Sequence, residues 1–313
     1  MAGFELSVRR GFLICLSDPS GQVGYGDAPL LPRITGTEAA VLEEALRSGK
    51  ADLPPEGLFG LSTAKLDLAA KKAGTSLARQ LNPQAAERVK VNAAIGAIDD
   101  GLEARVAEAI ADGFSVLKLK TAIFPWSEEG PRLARLIETL PKNVKLRLDA
   151  NRGWAREQTP EILAECANWP IEAIEEPCRY DDFAELAALQ APLPFSLALD
   201  ESLPHLDRQE VLRACPVRRL IIKPAALGDL RETYEFAQLA QAVGLEVTVT
   251  CAVDSAIGVR AAANLAGALD QDTRFAHGLA TSDWLAEDLA PPPLIASGLM
   301  KLEKTPDLHH PQI

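Results

Sequence analysis

Short apolar runs alternate with helix-like segments along this chain from about residue 88 onward. The short runs predict strands, whereas longer segments with apolar residues every three or four positions predict helices. The predicted strands are 88–94, 115–120, 144–149, 171–175, 195–200, 219–223, 246–250 and 274–277. The predicted helices between them include 101–112, 128–140, 159–168, 206–214, 229–243 and 255–268.

This alternation predicts an α/β fold, and eight strands with intervening helices predict a (β/α)8 barrel of about 250 residues. A doubly wound sheet is the alternative architecture, but no glycine-rich phosphate loop follows a predicted strand. The chain has 313 residues, which exceeds the length of such a barrel, so a smaller second domain is expected.

The first part of the chain follows a different pattern. The apolar run 12–16 and the segment 22–25 flank the turn sequence Asp18-Pro-Ser-Gly21, which predicts a hairpin. Helix-like stretches follow near 38–48 and 62–81. Strands followed by helices predict a small α+β domain. We therefore expect this domain over residues 1–87, completed by a returning tail at about 285–313, and the barrel over 88–284.

Charged residues end five successive predicted strands. They are Lys120, Asp149, Glu175, Asp200 and Lys223, at intervals of 29, 26, 25 and 23 residues. One βα repeat takes about 25 to 30 residues. Because the C-terminal ends of all barrel strands meet at one mouth, this spacing predicts a site in which two lysines face three carboxylates.

The three acidic residues of this set predict a metal site. Asp149, Glu175 and Asp200 end consecutive strands, whose tips lie about 5 Å apart in a barrel. Ionised carboxylates that close repel one another unless a cation lies among them. Oxygen-only ligands favour a hard divalent ion, so Mg²⁺ is the predicted cofactor, with Mn²⁺ as a substitute. A single acidic residue is more often a helix cap or a surface charge, which is the role expected for Glu176.

Lys118 and Lys120 lie two positions apart on one predicted strand, so both side chains point to the same side. Arg147, Asp149 and Asn151 are related in the same way on the next strand. An isolated Lys-x-Lys pair is usually solvated on an edge strand, but here the carboxylates are in register with it. Burial and mutual repulsion would lower the pKa of one lysine from about 10.4 toward the 7–8 that a general base needs.

Lys223 ends a strand across the mouth from Lys120, which places one amine on each face of a substrate held at the metal. This arrangement predicts removal of a proton α to a carboxylate, with the enediolate stabilised by the metal and by the opposite ammonium. The predicted ligand is therefore a small-molecule carboxylate.

The formal net charge is −12. An acidic surface repels phosphates and anionic lipid, so neither nucleic acid nor a membrane is expected as a partner. The charged N-terminus lacks the apolar stretch of a signal peptide, and no run of about 18 apolar residues occurs elsewhere. The five cysteines are widely spaced without C-x-x-C, which favours reduced thiols and a cytoplasmic location. The pattern does not specify an oligomeric state and is compatible with a monomer.

The strand-end motifs resemble those of the enolase superfamily, muconate-lactonizing subgroup, in which a Lys or His base works with magnesium. The matching segments are Lys118-Leu-Lys120, Leu148-Asp149-Ala-Asn151, Ile174-Glu175-Glu176-Pro177, Leu199-Asp200-Glu201-Ser202 and Ile222-Lys223-Pro224. The segment Gly24-Tyr-Gly-Asp-Ala-Pro29 resembles part of the family's N-terminal capping domain, whose loop closes over the substrate.

Within the subgroup, segments 146–152 and 175–178 and the short chain are most similar to the o-succinylbenzoate synthase family of menaquinone biosynthesis. The resemblance implies syn dehydration of 2-succinyl-6-hydroxy-2,4-cyclohexadiene-1-carboxylate. It implies that Lys120 takes the α proton and returns it to the leaving hydroxide, that Lys223 stabilises the enediolate, and that Lys118 tunes Lys120 and contacts carboxylate. Asp149, Glu175 and Asp200 would hold magnesium.

The segment at the end of the predicted strand 246–250 departs from the family pattern, which often has serines followed by Glu. Here it reads Thr250-Cys-Ala-Val-Asp-Ser255. Backbone N–H groups at Cys251 and Ala252 are predicted to bind a substrate carboxylate in place of those side chains. Arg147 and Asn151 are the other predicted substrate contacts.

Three alternative interpretations of the motifs were compared with this one. An N-acylamino acid racemase or dipeptide epimerase would use lysines on opposite faces for 1,1-proton transfer. The residues 277–280 lack the acidic pair with which dipeptide epimerases usually hold an ammonium group. Muconate cycloisomerase fits the chain length less well. A non-catalytic metal-binding scaffold would be expected to lose at least one of the five strand-end residues, and none is lost.

Overall fold

The computed structural model describes residues 8–49, 52–180, 182–305 and 308. The strands in these ranges are β1 (Gly11–Ser17), β2 (Val23–Pro29), β3 (Arg88–Lys90), β4 (Ala93–Ala97), β5 (Val116–Lys120), β6 (Lys145–Asp149), β7 (Ile171–Glu175), β8 (Ser196–Leu199), β9 (Arg219–Ile222), β10 (Glu246–Val249), β11 (Ile295–Ala296) and β12 (Leu299–Lys301). The α-helices are α1 (Ala39–Ser48), α2 (Pro55–Lys72), α3 (Leu77–Leu81), α4 (Leu102–Ala111), α5 (Trp126–Thr139), α6 (Thr159–Cys166), α7 (Phe183–Gln190), α8 (Arg208–Ala214), α9 (Pro224–Leu227), α10 (Leu230–Ala242) and α11 (Ala256–Leu269). Two 3₁₀ turns lie at Leu203–His205 and Ser282–Trp284.

Within the described residues, seven strands from β4 to β10 form one curled parallel sheet in chain order. His277 and Gly278 join its two edges through parallel bridges to Val91 and Thr250. Most connections between these strands include a helix. The predicted (β/α)8-type barrel is therefore confirmed, and the doubly wound alternative is wrong.

The eighth predicted strand, 274–277, is reduced to these bridging residues. The backbone N–H groups of Arg274 and Phe275 each donate to the Asp270 carboxylate at 2.9 Å. Those donors are consequently used in a turn, so regular pairing is limited to the two residues that follow Ala276.

The first predicted strand, 88–94, is divided between two sheets. β3 pairs with β12 of the C-terminal tail in a three-stranded antiparallel sheet, whereas β4 begins the barrel. The tail thus returns to the junction at residues 88–90. The division of the chain into domains at residue 87 stays a prediction.

The N-terminal hairpin forms as expected, with β1 antiparallel to β2. β2 packs so closely on α2 that a Cβ at Gly26 would lie only 1.8 Å from the carbonyl oxygen of Gly60. The single helix expected over 62–81 is wrong in two ways. It begins earlier, at Pro55, since proline fits the first helical position, and it breaks before α3, whose N-cap Ser76 accepts from the Arg79 N–H.

The main apolar core lies between the barrel sheet and its surrounding helices and consists largely of buried leucine, isoleucine, valine and alanine. Among the described residues, no helix combines the length and apolar character needed to cross a bilayer. Buried charged residues of the barrel lie at the C-terminal ends of the strands, as Asp149, Glu175 and Asp200 do, and in a layer below them that includes Arg147 and Arg219.

Candidate active site

The parallel register places the strand-end residues at one level. Lys120 of β5 is paired with Asp149 of β6, and Asp149 is paired with Glu175 of β7. Asp200 directly follows β8. Carboxylate oxygens of Asp149, Glu175 and Asp200 all lie within 4.8 Å of one another, and all three residues are buried. The structure therefore brings together the three acids that the spacing predicted would converge.

Three lysines surround this carboxylate cluster. Lys118 Nζ donates to Glu175 Oε2 and lies 2.9 Å from Asp149 Oδ2. Lys120 Nζ donates to Asp149 Oδ2 at 2.5 Å. Lys223 Nζ donates to Asp200 Oδ1 from the next strand end. The lysine side chains are 15–24% exposed, so solvent and ligands reach them from the mouth.

The charges of this cluster decide the protonation of Lys118 and Lys223. Burial alone would lower the pKa of Lys118, but the charges of Asp149, Glu175 and Asp200 outweigh it and raise that pKa above its usual value. Burial likewise opposes the raised pKa of Lys223, where Asp200 is the main opposing charge. For Lys118 the direction is opposite to the lowering expected for one lysine of the Lys118–Lys120 pair, because the charges of Asp149, Glu175 and Asp200 outweigh burial.

The acidic cluster fits a hard divalent cation. Its donor set is composed of carboxylate oxygens alone. Glu175 Oε1 is buried and has no hydrogen-bond partner, although a buried acceptor normally has one. A cation among the three acids would satisfy this oxygen and reduce the repulsion between them.

Asn151 lies beside the cluster, as predicted. Its side-chain Oδ1 accepts from Lys120 Nζ at 2.7 Å, and its Nδ2 donates to Glu201 Oε1 at 3.3 Å. The residue is exposed at the mouth and has a left-handed φ of 46°. Sequence reasoning missed Glu201, which follows Asp200 and whose pKa is raised by burial and by the charges of Asp200 and Asp149.

Arg147 lies below the mouth, and its predicted contact with substrate is not supported by its position. Its side chain is 1% exposed. The guanidinium donates to Glu172 Oε1 at 2.5 and 2.7 Å, to Asn92 Oδ1 at 3.1 Å and to the Ala276 carbonyl at 2.8 Å. Arg147 Nε also lies 3.8 Å from Glu175 Oε1. Arg147 therefore supports the cluster from beneath.

The backbone of Cys251 is used to close the barrel. Its N–H donates to the Gly278 carbonyl at 3.2 Å, so this group is not free for the predicted carboxylate contact. The thiol is buried beside Thr281 Oγ1 at 3.2 Å, and burial raises its pKa. Ala252 is partly exposed, and its role as a substrate contact stays a prediction.

Glu176 is the clearest residue that sequence reasoning misjudged. It is 1% exposed, so its expected role as a surface charge is wrong, and the next helix begins only at Phe183. Glu176 Oε1 accepts from the backbone N–H groups of Asp200 at 2.8 Å and Ser202 at 3.0 Å. Burial and the nearby Glu201 raise the pKa of Glu176 to about 7. Its partners are 24 and 26 positions away, so no local sequence signal marked this role.

The N-terminal hairpin holds the segment that follows β10. Arg9 Nε donates to the Val253 carbonyl at 2.5 Å, and Asp27 Oδ2 accepts from the Ser255 N–H at 3.0 Å. Asp254 lies between Val253 and Ser255 in the chain. Burial together with the charge of Asp27 raises the pKa of Asp254 to about 7. These contacts place Arg9, which precedes β1, and Asp27 of β2 next to the segment that follows β10.

Comparisons with known proteins agree with this geometry. The family model described as "Enolase C-terminal domain-like" matches residues 101–308. The o-succinylbenzoate synthase of Pectobacterium atrosepticum is 30% identical over 283 residues, which cover 86% of this chain and 82% of that protein. The L-amino acid-D/L-Glu epimerase of Francisella philomiragia is 27% identical over 296 residues, with the same two coverages.

A solved structure shows the same fold. The dipeptide epimerase from Enterococcus faecalis V583 has a TM-score of 0.82 at 23% sequence identity, covering 95% of this chain and 96% of that one. Three findings agree. The barrel carries buried acids with flanking lysines at its strand ends, the family model matches most of the chain, and one relative is 30% identical. This chain belongs to the enolase superfamily.

Proposed function

We propose that this protein is a magnesium-dependent o-succinylbenzoate synthase, a hydro-lyase that converts 2-succinyl-6-hydroxy-2,4-cyclohexadiene-1-carboxylate to o-succinylbenzoate and water. The observation that carries the proposal is the carboxylate cluster with Lys120 and Lys223 on two sides of it. The 30% identical relative from Pectobacterium atrosepticum supports this choice of reaction.

Asp149, Glu175 and Asp200 are the residues that would hold magnesium, and the bound ion would supply positive charge to the substrate carboxylate. Lys120, in its neutral form, takes the proton from the carbon α to that carboxylate. The electron pair left behind moves into the carboxylate and gives an enediolate. Lys223 stays protonated and stabilises this negative charge from the opposite side.

Lys120 then completes the elimination on the same face. The enediolate reforms the carboxylate, the ring C–OH bond breaks, and the Lys120 ammonium gives its proton to the departing hydroxide. Water leaves, and Lys120 is again neutral. Lys118 lies between Glu175 and Asp149 and offsets part of the negative charge of the cluster throughout.

A racemase or epimerase acting on N-acylated amino acids is the second candidate. Two lysines that contact the cluster from β5 and from the end of β9 suit proton removal on one face and return on the other. The Francisella philomiragia epimerase is 27% identical to this chain. An unacylated dipeptide is disfavoured, because His277–Ala280 offers no acidic side chain for its ammonium group.

The deciding experiment is a direct assay with the cyclohexadiene acid, beside N-succinyl derivatives of both enantiomers of an amino acid. We expect magnesium-dependent formation of o-succinylbenzoate, and its loss in Lys120→Ala. Racemisation of the N-succinyl amino acid without any dehydration would establish the second candidate instead. Activity retained by Lys120→Ala would overturn the assignment of the base.

A further inference from the structure

Glu129 is a fully buried carboxylate in the first turn of α5. It accepts four hydrogen bonds from one short segment, residues 121–124. Oε2 accepts from the Thr121 hydroxyl at 2.5 Å and the Ala122 N–H at 2.8 Å. Oε1 accepts from the backbone N–H groups of Ile123 and Phe124, both at 3.0 Å. Four hydrogen bonds to one buried carboxylate restrict residues 121–124 to one backbone conformation.

The segment held in this way begins directly after Lys120, the last residue of β5. Ala122 has a left-handed φ of 59°, which is unfavourable for a residue with a Cβ. The bond from its N–H to Glu129 stabilises that conformation. A change in the backbone here would move the Cα of Lys120 and therefore its amine, and an error of about 1 Å in a reacting group can cost about 10²-fold in rate.

Other contacts keep the segment folded and connect it to the cluster. The Thr121 N–H donates to the Asp149 carbonyl at 3.0 Å. Ala122 packs against the turn that carries Asn151, because a Cβ at Gly153 would lie 2.7 Å from the Ala122 Cβ. Loss of the Glu129 bonds should therefore allow the backbone of residues 121–124 to change direction, while these other contacts keep the barrel folded.

We propose that Glu129 is a positioning residue for proton transfer, which fixes the direction of Lys120 by anchoring residues 121–124. Glu129 does not touch the mouth and acts only through the segment that follows β5. The inference rests on the proposed function, in which Lys120 is the base. Its structural part, the anchoring of the segment, can be tested without any activity.

The first test compares Glu129→Gln with Glu128→Gln, an exposed neighbour in the same helical turn. The glutamine NH2 would face either the Ile123 and Phe124 N–H groups or the Ala122 N–H group together with the Thr121 hydroxyl, which can turn to accept. At least one backbone N–H of the segment therefore loses its acceptor. Hydrogen–deuterium exchange should show faster exchange at one or two of the amides of 122–124 in Glu129→Gln, with β6 unchanged, and no difference in Glu128→Gln. Unchanged protection at 122–124 would overturn the proposal whatever the enzyme's activity proves to be.

The second test is kinetic. We expect Glu129→Gln to lower kcat for dehydration by about 10²-fold while KM and the magnesium requirement stay within about 3-fold of wild type, because binding does not depend on the direction of Lys120. An unchanged kcat, or an equal loss in Glu128→Gln, would contradict a positioning role.

The stereochemistry of exchange separates positioning from general damage. If the wild type exchanges the α proton of both enantiomers of an N-succinyl amino acid with solvent deuterium, Lys120→Ala and Lys223→Ala assign one enantiomer to each lysine. Glu129→Gln should then slow exchange of the Lys120 enantiomer alone. Equal slowing of both would indicate a merely structural defect and would overturn the proposal. If the wild type exchanges the α proton of neither enantiomer, amide protection at 122–124 and kcat for dehydration decide the proposal.

Discussion

Two charged layers lie one above the other inside this barrel. The upper one forms the candidate site, and the lower one supports it. The upper layer is the strand-end cluster of three carboxylates with Lys118, Lys120 and Lys223. The lower layer is an ion-pair network of Arg147, Glu172, Arg219 and Glu246, in which Arg219 donates to Glu172 at 3.0 Å and to Glu246 at 2.9 Å. Arg147 precedes Asp149 by two residues on one strand, which separates the layers by about 7 Å.

The two layers differ in the cation that each uses and in what is left unsatisfied. Guanidinium groups are planar, stay charged and fix several bonds at once, and Arg147 is 1% exposed. A lysine ammonium is a compact charge on a flexible stem and can lose a proton, and Lys120 is 24% exposed. The upper layer also keeps a buried acceptor without a partner, Glu175 Oε1. Buried charge is thus common to both layers, and the unsatisfied acceptor and the lysine amines distinguish the upper one.

The largest effect is expected from damage to the upper layer. Asp200→Asn removes one anionic oxygen ligand and should reduce magnesium-dependent turnover by at least about 10³-fold, because metal charge stabilises the transition state by several kcal/mol. The melting temperature and circular dichroism should change little, since the mouth is not the apolar core. Asp272→Asn, in an exposed turn, is the matched control. Retained magnesium affinity in Asp200→Asn would contradict its assignment as a ligand.

Damage to the lower layer should act on stability first. Arg147→Met removes one partner of a buried ion pair and leaves Asn92 Oδ1 and the Ala276 carbonyl without their donor. We expect the free energy of unfolding to fall by about 3–5 kcal/mol. Urea denaturation measures this loss, and Arg135→Met on the exposed side of α5 is the control. A fully stable Arg147→Met protein with impaired substrate binding would instead restore Arg147 as a substrate contact.

The smallest expected effect is stabilisation of the folded protein by magnesium, which distinguishes the two layers without any substrate. Magnesium at about 100 times its Kd should stabilise the folded protein by about 2.7 kcal/mol, because only the folded chain assembles the three acids. Thermal denaturation with and without EDTA reports this shift. It should disappear in Asp200→Asn and persist in Arg135→Met. A shift that persists in Asp200→Asn would place the ion elsewhere.

Most of the barrel and the acidic cluster could be predicted because both follow from local signals. β5 to β10 match their predicted strands within one residue at each end. The barrel closure was harder to predict, since a side-chain contact of Asp270 replaces most of the eighth strand. The start of the barrel was also displaced, because β3 found a partner in the distant C-terminal tail.

The roles of individual polar residues depended on tertiary contacts. On a regular strand, Glu172 and Glu175 would point to opposite faces, since they are three positions apart. A register shift between β6 and β7 next to Arg147 changes this, and Arg147 contacts both acids. Alternation along the sequence does not show such a shift. The same limit applies to Glu129 and Glu176, whose importance lies in the turns that their carboxylates hold.

The sequence by itself determined the repeat length, the strand ends and the identity of the charged residues there, because strand and helix signals are local and a closed barrel brings all strand ends together. Only the tertiary structure decided which charges face the mouth and which are buried as support. That division depends on register, bulges and hydrogen bonds between residues far apart in the chain. Thus Lys120 and Asp149 lie at the mouth, whereas Arg147, only two residues before Asp149, supports it from below.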